Sequence, residues 1–390
     1  MTAAAARPSR TLPAVSDRIR VAMMVDQLRA GGAERFAVAL AAELDRSRFE
    51  VTMIAARAGS WPEEREHLLR HGVSVLQLGR RSTAHVSPWA GLRRFLRERR
   101  IDVFHAHKFG SNVWGSLVGR LARVPVVIAT EHSWSFEGQA VRRLLDRHLV
   151  GRLADVTVAV SEADRRRMMS VEGLPGEQVR VIPTGLVPPL VSVPDPGFDL
   201  RAEIGAPPGA VLVATVCQLR PEKAIDVLLE AHRRAAAEAP CHLVVIGDGP
   251  DRERLEAVAD RLGRDGVHFL GQRFDVLPLL RQCDVFALSS DREGSPLALV
   301  EGMAAGLAPV ATNVGGVPEI APEGEVALLV PPRDPEALCA ALARVVSDAA
   351  ERARLAAAAE RRAAEYAFPR IVERWQDLYV ETLAARGGPA

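Results

Sequence analysis

Short runs rich in β-branched residues alternate with amphipathic helical stretches from one end of the chain to the other, and the alternation breaks once. In the first half the strand runs are IRVAMMV, VTMIAA, VSVLQL, DVFHAH, VPVVIAT, DVTVAV and VRVIP, with helices such as AERFAVALAAEL and SPWAGLRRFLRERR between them. The runs are apolar at most positions, so they read as strands buried on both faces in parallel sheets covered by helices. Periodicity then fails over TGLVPPLVSVPDPGFDLRAEIGAPPGA, where proline and glycine take over. It restarts with VLVATVC, CHLVVIG, VHFLG, DVFALSS, APVATN and VALLVPP.

A chain of 390 residues that is 48% hydrophobic can bury two cores. The expected architecture is therefore α/β, with two facing Rossmann-like, doubly wound parallel-sheet domains. Residues 1–18 read as a disordered extension, 19–187 as the first domain and 188–368 as the second. Residues 369–390, which include WQDLYVETLA, read as a C-terminal helix crossing back to the first domain.

Several function classes are disfavoured. Lys+Arg 50 against Asp+Glu 49 leaves a net charge of +1, so no nucleic-acid partner is expected. The four cysteines, Cys217, Cys241, Cys283 and Cys339, are far apart and form no zinc or disulfide framework, which fits a reducing cytoplasm. The first residues lack the apolar segment of a signal peptide, and no run approaches the roughly 20 apolar residues that span a bilayer.

In open α/β sheets ligands sit beyond the carboxyl ends of the strands. One such end carries DREGSPLALVEG, with Glu293 and Glu301 around a Ser-Pro pair. Ser295 followed by Pro296 reads as an N-cap and first helical residue. The free amides at Leu297 and Ala298, with the macrodipole behind them, would make an anion site. Glu293 stays in the loop and Glu301 lies about 7.5 Å along the helix, so the carboxylates could bracket a diphosphate. With 49 acidic residues among 390, roughly six pairs arise by chance at any fixed spacing, so the strand-loop-cap context carries the signal.

Other strand ends add to it. Gly31-Gly32 follow IRVAMMV and let backbone amides approach a phosphate or sugar, although plain turn chemistry explains such a pair equally well. His105 and His107 end DVFHAH on one face, and His107 could reach the cleft. His132 is a weaker parallel. Arg220 and Lys223 sit in the loop before the helix AIDVLLEA, where cations oppose the helix dipole unless an anion arrives. Gly247 and Asp248 lie in another glycine-rich strand end, LVVIGDGP.

Taken together, GGAER, DVFHAH, VAVSEADRR, VIPTG, LRPEK, VVIGDGP, FLG, SDREGSPLALVEGMAAG, PVATNVGGVPEI and LLVPPRDPEALCAAL resemble the retaining glycosyltransferases of family 4, which have the GT-B fold. The resemblance implies a nucleoside-diphosphate sugar held mainly by the second domain and an acceptor held mainly by the first. Glu293 would bind hydroxyls of the transferred sugar and Glu301 the ribose. Lys223 and the amides of Leu297 and Ala298 would stabilise the departing diphosphate, with Ser295, Arg220, Gly247 and Asp248 completing the donor site. Gly31 and Gly32 would close from the other domain, and His107 would lie near the anomeric centre. Neither glutamate need act as acid or nucleophile, because the leaving group is already activated.

No cofactor or metal is expected: D-x-D is absent, and cations and amides replace the usual Mg²⁺ clamp. The acceptor would be a growing cell-surface glycan, a lipid-linked sugar or a small-molecule glycoside. SWSFEGQAVRRLLDRHLVGR would help shape its pocket. The Arg142, Arg143, Arg147 and Arg152 face reads first as a solvated face, and its second reading is peripheral contact with an anionic membrane from the cytoplasmic side.

The chain departs from the family pattern at four places. Gln218 stands where an Arg is usual, with Arg220 the candidate replacement; Thr184 stands for Asn, and Ala224 and Ala327 for Gly. Competing readings are a nucleotide-sugar isomerase on the same scaffold and a non-catalytic donor-binding subunit. A dinucleotide-dependent oxidoreductase is disfavoured because DQLRAGGAER lacks the G-x-G-x-x-G spacing.

Overall fold

The computed structural model describes residues 18–28, 31–57, 59, 62–82, 85–132, 139–189 and 198–387. Residues 1–17 of the expected extension and 133–138 of the expected acceptor loop lie outside the described residues.

Every strand run read from the sequence forms a strand. The first domain holds β1 (Ile19–Val25), β2 (Phe49–Arg57), β3 (Ser74–Arg80), β4 (Val103–His107), β5 (Val126–Glu131), β6 (Val156–Ala159) and β7 (Val179–Val181). The second holds β8 (Val211–Val216), β9 (Cys241–Ile246), β10 (Val267–Gly271), β11 (Val285–Leu288), β12 (Ala308–Thr312) and β13 (Leu328–Val330). The sheet orders are β3-β2-β1-β4-β5-β6-β7 and β10-β9-β8-β11-β12-β13. All pairings are parallel, as in β1 with β2 and β8 with β9. Parallel strands need crossover helices, and these cover both faces. Hence β4, β5 and β12 are buried at every residue.

Each sheet reverses its winding direction once, between β1 and β4 in the first domain and between β8 and β11 in the second. A crevice opens beyond the carboxyl ends of the strands at such a switch point. The loops leaving these four strands carry Gly31 and Gly32, Lys108, Lys223, and Glu293 respectively.

The chain crosses between domains twice. After helices Pro335–Ser347 and Ala349–Ala363, the helix Phe368–Ala385 returns to the first domain. Its Ile371, Trp375, Tyr379 and Leu383 belong to the core that also contains Val21, Met23, Phe36 and Ile128. Trp375 is completely buried and stacks on His105 at 4.6 Å, and the Tyr379 hydroxyl lies 2.7 Å from His105 Nδ1. Replacing Trp375 by Ala would cost about 3–5 kcal/mol, the usual figure for a large core aromatic. The outgoing crossover is pinned to the returning one where Leu186 N donates to Tyr366 O at 2.8 Å. Gly185, at φ +70°, has no room for a side chain beside Ile371 and the Tyr366 carbonyl.

Among the described residues no helix is long and apolar enough to cross a membrane, and no group of three or more His, Cys, Asp or Glu could hold a metal ion.

Candidate active site

The four loops at the two switch points meet across the interdomain gap. From β1, Gly31 precedes the helix Gly32–Glu43 in extended conformation. A methyl at Gly32 would lie 3.3 Å from Leu297 Cδ1, so the first turns of this helix and of Leu297–Ala304 nearly touch. Both helices present amides that no preceding carbonyl of their own helix can satisfy, with the positive end of each macrodipole behind them. An anion between them would be favoured by both.

One part of the cap differs from expectation. Pro296, at φ −68° and ψ 110°, is the N-cap, and Leu297 is the first helical residue. Ser295 does not cap. Its hydroxyl is committed to the first domain, lying 3.0 Å from Thr184 Oγ1 and accepting Thr184 N at 3.3 Å. The Ser295 carbonyl lies 3.0 Å from the same Thr184 hydroxyl. The position where Asn is usual in the family thus holds an interdomain clasp, and a buried tertiary hydrogen bond outweighs the local capping preference.

Lys223 and Glu293 come together. Lys223 Nζ donates to Glu293 Oε1 at 2.6 Å, and Ser290 Oγ donates to the same oxygen at 2.6 Å. The loops beneath are fastened by Asp291 N to Glu222 O at 2.9 Å and by Ser289 Oγ to Lys223 O at 2.9 Å. Arg333 binds Asp291 from outside. Burial pulls the Lys223 ammonium down, but the adjacent Glu293 carboxylate outweighs it and holds the pKa above the ordinary value. Lys223 is therefore a firmly charged donor. Ala224 behind it is left-handed, at φ 48° and ψ 42°, which accounts for glycine being usual there. Ala327 has no such strain, as it is not in the left-handed region.

Glycines make the approach of these loops possible. Gly315, at φ +51°, packs so closely on the Glu293 carbonyl that a methyl would overlap it. Gly294 packs on the His132 carbonyl of the first domain, where a methyl would stand at 2.6 Å. Gly247 packs equally tightly on the Cys217 carbonyl, and Leu219 N donates to Asp248 O at 3.0 Å. Asp248 also accepts Gly249 N at 2.7 Å and Arg252 Nη1 at 3.3 Å. Gly247 and Asp248 thus hold up the loop 217–223. Arg220 and Gln218 are exposed at the end of β8.

Glu301 is buried and pairs with Arg35 of the first domain, Nη2 to Oε1 at 2.9 Å. Both glutamates of the motif therefore face a cation. Arg35 was not singled out in the sequence, although it ends GGAER. Neither was Glu319 of VGGVPEI, which binds two amides of the first domain at 2.8 Å.

His107 is fully buried, beneath the cleft rather than open to it. Its Nδ1 is 3.0 Å from His132 Nε2 and its Nε2 has no partner among the described residues. Burial lowers its pKa to about 3, and burial with His107 and Lys108 lowers that of His132. The two imidazoles form a neutral pair behind the Glu293-Gly294 loop. Cys217 is likewise inert: burial pushes its thiol up to about 12.

Two Rossmann-like parallel-sheet domains whose switch points face each other across a polar, cation-lined cleft make up the GT-B architecture. The model described as Glycosyltransferase Family 4 matches residues 30–188, and that described as Glycosyl transferases group 1 matches residues 198–362. A D-inositol 3-phosphate glycosyltransferase of Saccharomonospora viridis is 31% identical over 316 residues, covering 74% of this chain and 72% of that protein. An exopolysaccharide phosphotransferase of Streptomyces coelicolor is 34% identical over 176 residues, which are 44% of this chain and only 19% of that protein. Among solved structures, HepE of Anabaena, crystallised with UDP and glucose, superposes with a TM-score of 0.81 at 21% identity, covering 93% of this chain and 100% of that one. The chain belongs to glycosyltransferase family 4.

Proposed function

We propose that the chain transfers a hexose-type sugar, with retention and without a metal, from a nucleoside-diphosphate sugar to a glycan, lipid-linked or small-molecule acceptor. The observation that carries this reading is the Lys223–Glu293 pair, 2.6 Å apart, beside two converging helix N-termini. The diphosphate lies between the first turns of Gly32–Glu43 and Leu297–Ala304. Glu301 accepts ribose hydroxyls, and Glu293 accepts a hydroxyl of the sugar and keeps Lys223 aimed at the leaving oxygen. As the glycosidic C–O bond breaks, charge grows on the diphosphate, where the fixed amides and Lys223 stabilise it without reorganising. The acceptor hydroxyl attacks from the same face and gives its proton to a departing phosphate oxygen. No side-chain base is required, and His107 is a positioning residue beneath the Glu293 loop.

A uridine nucleotide is favoured by the likeness to HepE, which was crystallised with UDP-glucose. A membrane-bound or lipid-linked acceptor is favoured by Val141 and Leu144, exposed at 71% and 58% on the helix Ala140–Leu145. Arg142, Arg147 and Arg152 are exposed beside them, Arg142 with its guanidinium 5.0 Å from the Phe109 ring centre, whereas Arg143 is partly buried. Such a segment fits the surface of an anionic bilayer. Liposome binding should weaken with salt; indifference to salt and to anionic lipid removes the membrane part.

The test of the donor is a thermal-shift screen of UDP-, GDP- and ADP-sugars, since a ligand that binds only the native state raises its stability. One nucleotide class should raise Tm by several degrees, and release of its nucleoside diphosphate should require an acceptor. A free nucleotide sugar converted without any acceptor would favour an isomerase instead. Binding without any turnover would favour a donor-binding subunit.

A further inference from the structure

Arg35 sits in the first turn of Gly32–Glu43, where a cation opposes the macrodipole and needs an anion nearby. Glu301 meets that need only in part. It accepts one guanidinium donor at 2.9 Å, and no other side-chain hydrogen bond of Arg35 is found among the described residues, so most of the five-donor fork is left over. Each member of the pair lies one turn into its helix, and the two helices nearly touch at Gly32 and Leu297. The pair and the first-turn amides thus border the same space.

Charge balance gives the fork a purpose. Glu293 and Glu301 are each matched by a single cation, Lys223 and Arg35. Each phosphate of a diphosphate ester carries a negative charge. Neutral Gln218 offers no positive charge to meet it, and Arg220 is exposed at the end of β8 rather than held toward Glu293 or Glu301 by any side-chain bond among the described residues. Ribose hydroxyls that donate to Glu301 do not cancel its charge, so the arriving diphosphate needs every cation the cleft holds.

We propose that Arg35 is a second phosphate-binding cation of this enzyme, supplied by the first domain. Glu301 holds the guanidinium in register, and as ribose hydroxyls donate to Glu301 the free donors of the fork engage the diphosphate, standing in for the charge that Gln218 lacks. This inference rests on the donor reading given above.

The experiment is calorimetric titration of the full chain with UDP and with uridine, GDP and ADP with their nucleosides being run in parallel. The quantity read is the ratio of nucleoside Kd to diphosphate Kd for the base that the wild type binds. In Arg35→Gln the ratio should fall about 10- to 100-fold, as for loss of a charge-assisted hydrogen bond. Arg35→Lys, which keeps the charge without the fork, should fall between. Adding Gln218→Arg to Arg35→Gln should restore much of the loss, and failure there would remove the claim that Arg35 stands in for residue 218. An unchanged or raised ratio in Arg35→Gln, with melting temperature preserved, overturns the proposal while leaving the donor reading intact. A wild-type chain that binds none of the three diphosphates overturns both.

Discussion

Glu319 of the second domain accepts the backbone amide of Ala163 in the first, Oε1 to N at 2.8 Å, while its Oε2 accepts Glu162 N at the same distance. These amides open the helix Glu162–Arg167, where a carboxylate satisfies orphan donors and complements the dipole. One domain caps a helix of the other. Glu319→Ala should cost about 1 kcal/mol and let the domains open further, seen as a larger radius of gyration in small-angle scattering. An unchanged radius and Tm would mean that the cap does not hold the domains together.

Lys223→Ala leaves Glu293, whose side chain is 10% exposed, without its cation. Transfer should slow about 10²- to 10³-fold, as when one transition-state donor is removed, and Glu293→Ala should abolish it with the fold preserved. Single-turnover rates and circular dichroism separate the two quantities. Full activity in either variant refutes the site assignment.

Gly315→Ala should be severe although Gly315 bears no chemistry. The methyl would overlap the Glu293 carbonyl, and φ +51° strains any side chain there. We expect a loss of about 1–3 kcal/mol with a fall in transfer rate at saturating donor. A variant that melts and turns over normally would show that the Glu293 loop has slack.

Asp146 offers a pH test away from the cleft. Burial, then the neighbouring Glu172, raise its pKa from 3.8 to about 8, so the folded chain keeps a proton that the unfolded chain gives up. Its contribution to stability is fully present below pH 3.8 and is lost as pH rises toward about 8. Asparagine cannot ionise. The Tm of Asp146→Asn relative to wild type should therefore climb across that window and level off above it. A difference that is flat with pH would place the ionised carboxylate in contact with a counter-charge.

The sheets were legible in the sequence because a strand buried on both faces must be apolar at nearly every position, as IRVAMMV and APVATN are. That Glu293, Lys223 and Gly31 would lie in loops at the carboxyl ends of strands was legible from the strand-then-loop pattern around each of them. Alternation correctly placed His105 and His107 on one face, but period two does not say which face is core, and that face proved to be the one Trp375 fills. Ser295 carried a good local signal for a cap, yet Thr184, distant in sequence, claimed its hydroxyl. Arg35 with Glu301, and Glu319 with Ala163, escaped because each pair joins side chains or amides from different domains. No local pattern encodes such a meeting.

The last helix bears on how the molecule is made. Trp375 and Tyr379 plug the middle of the first domain, yet roughly 200 residues must be synthesised after β7 before they emerge, about 10–40 s at ordinary translation rates. Until then the seven-stranded sheet waits on the ribosome with an open socket lined by Phe36 and His105. Nascent chains stalled at the interdomain crossover would therefore offer chaperones an unfinished apolar surface, and the two halves of this enzyme reach maturity together.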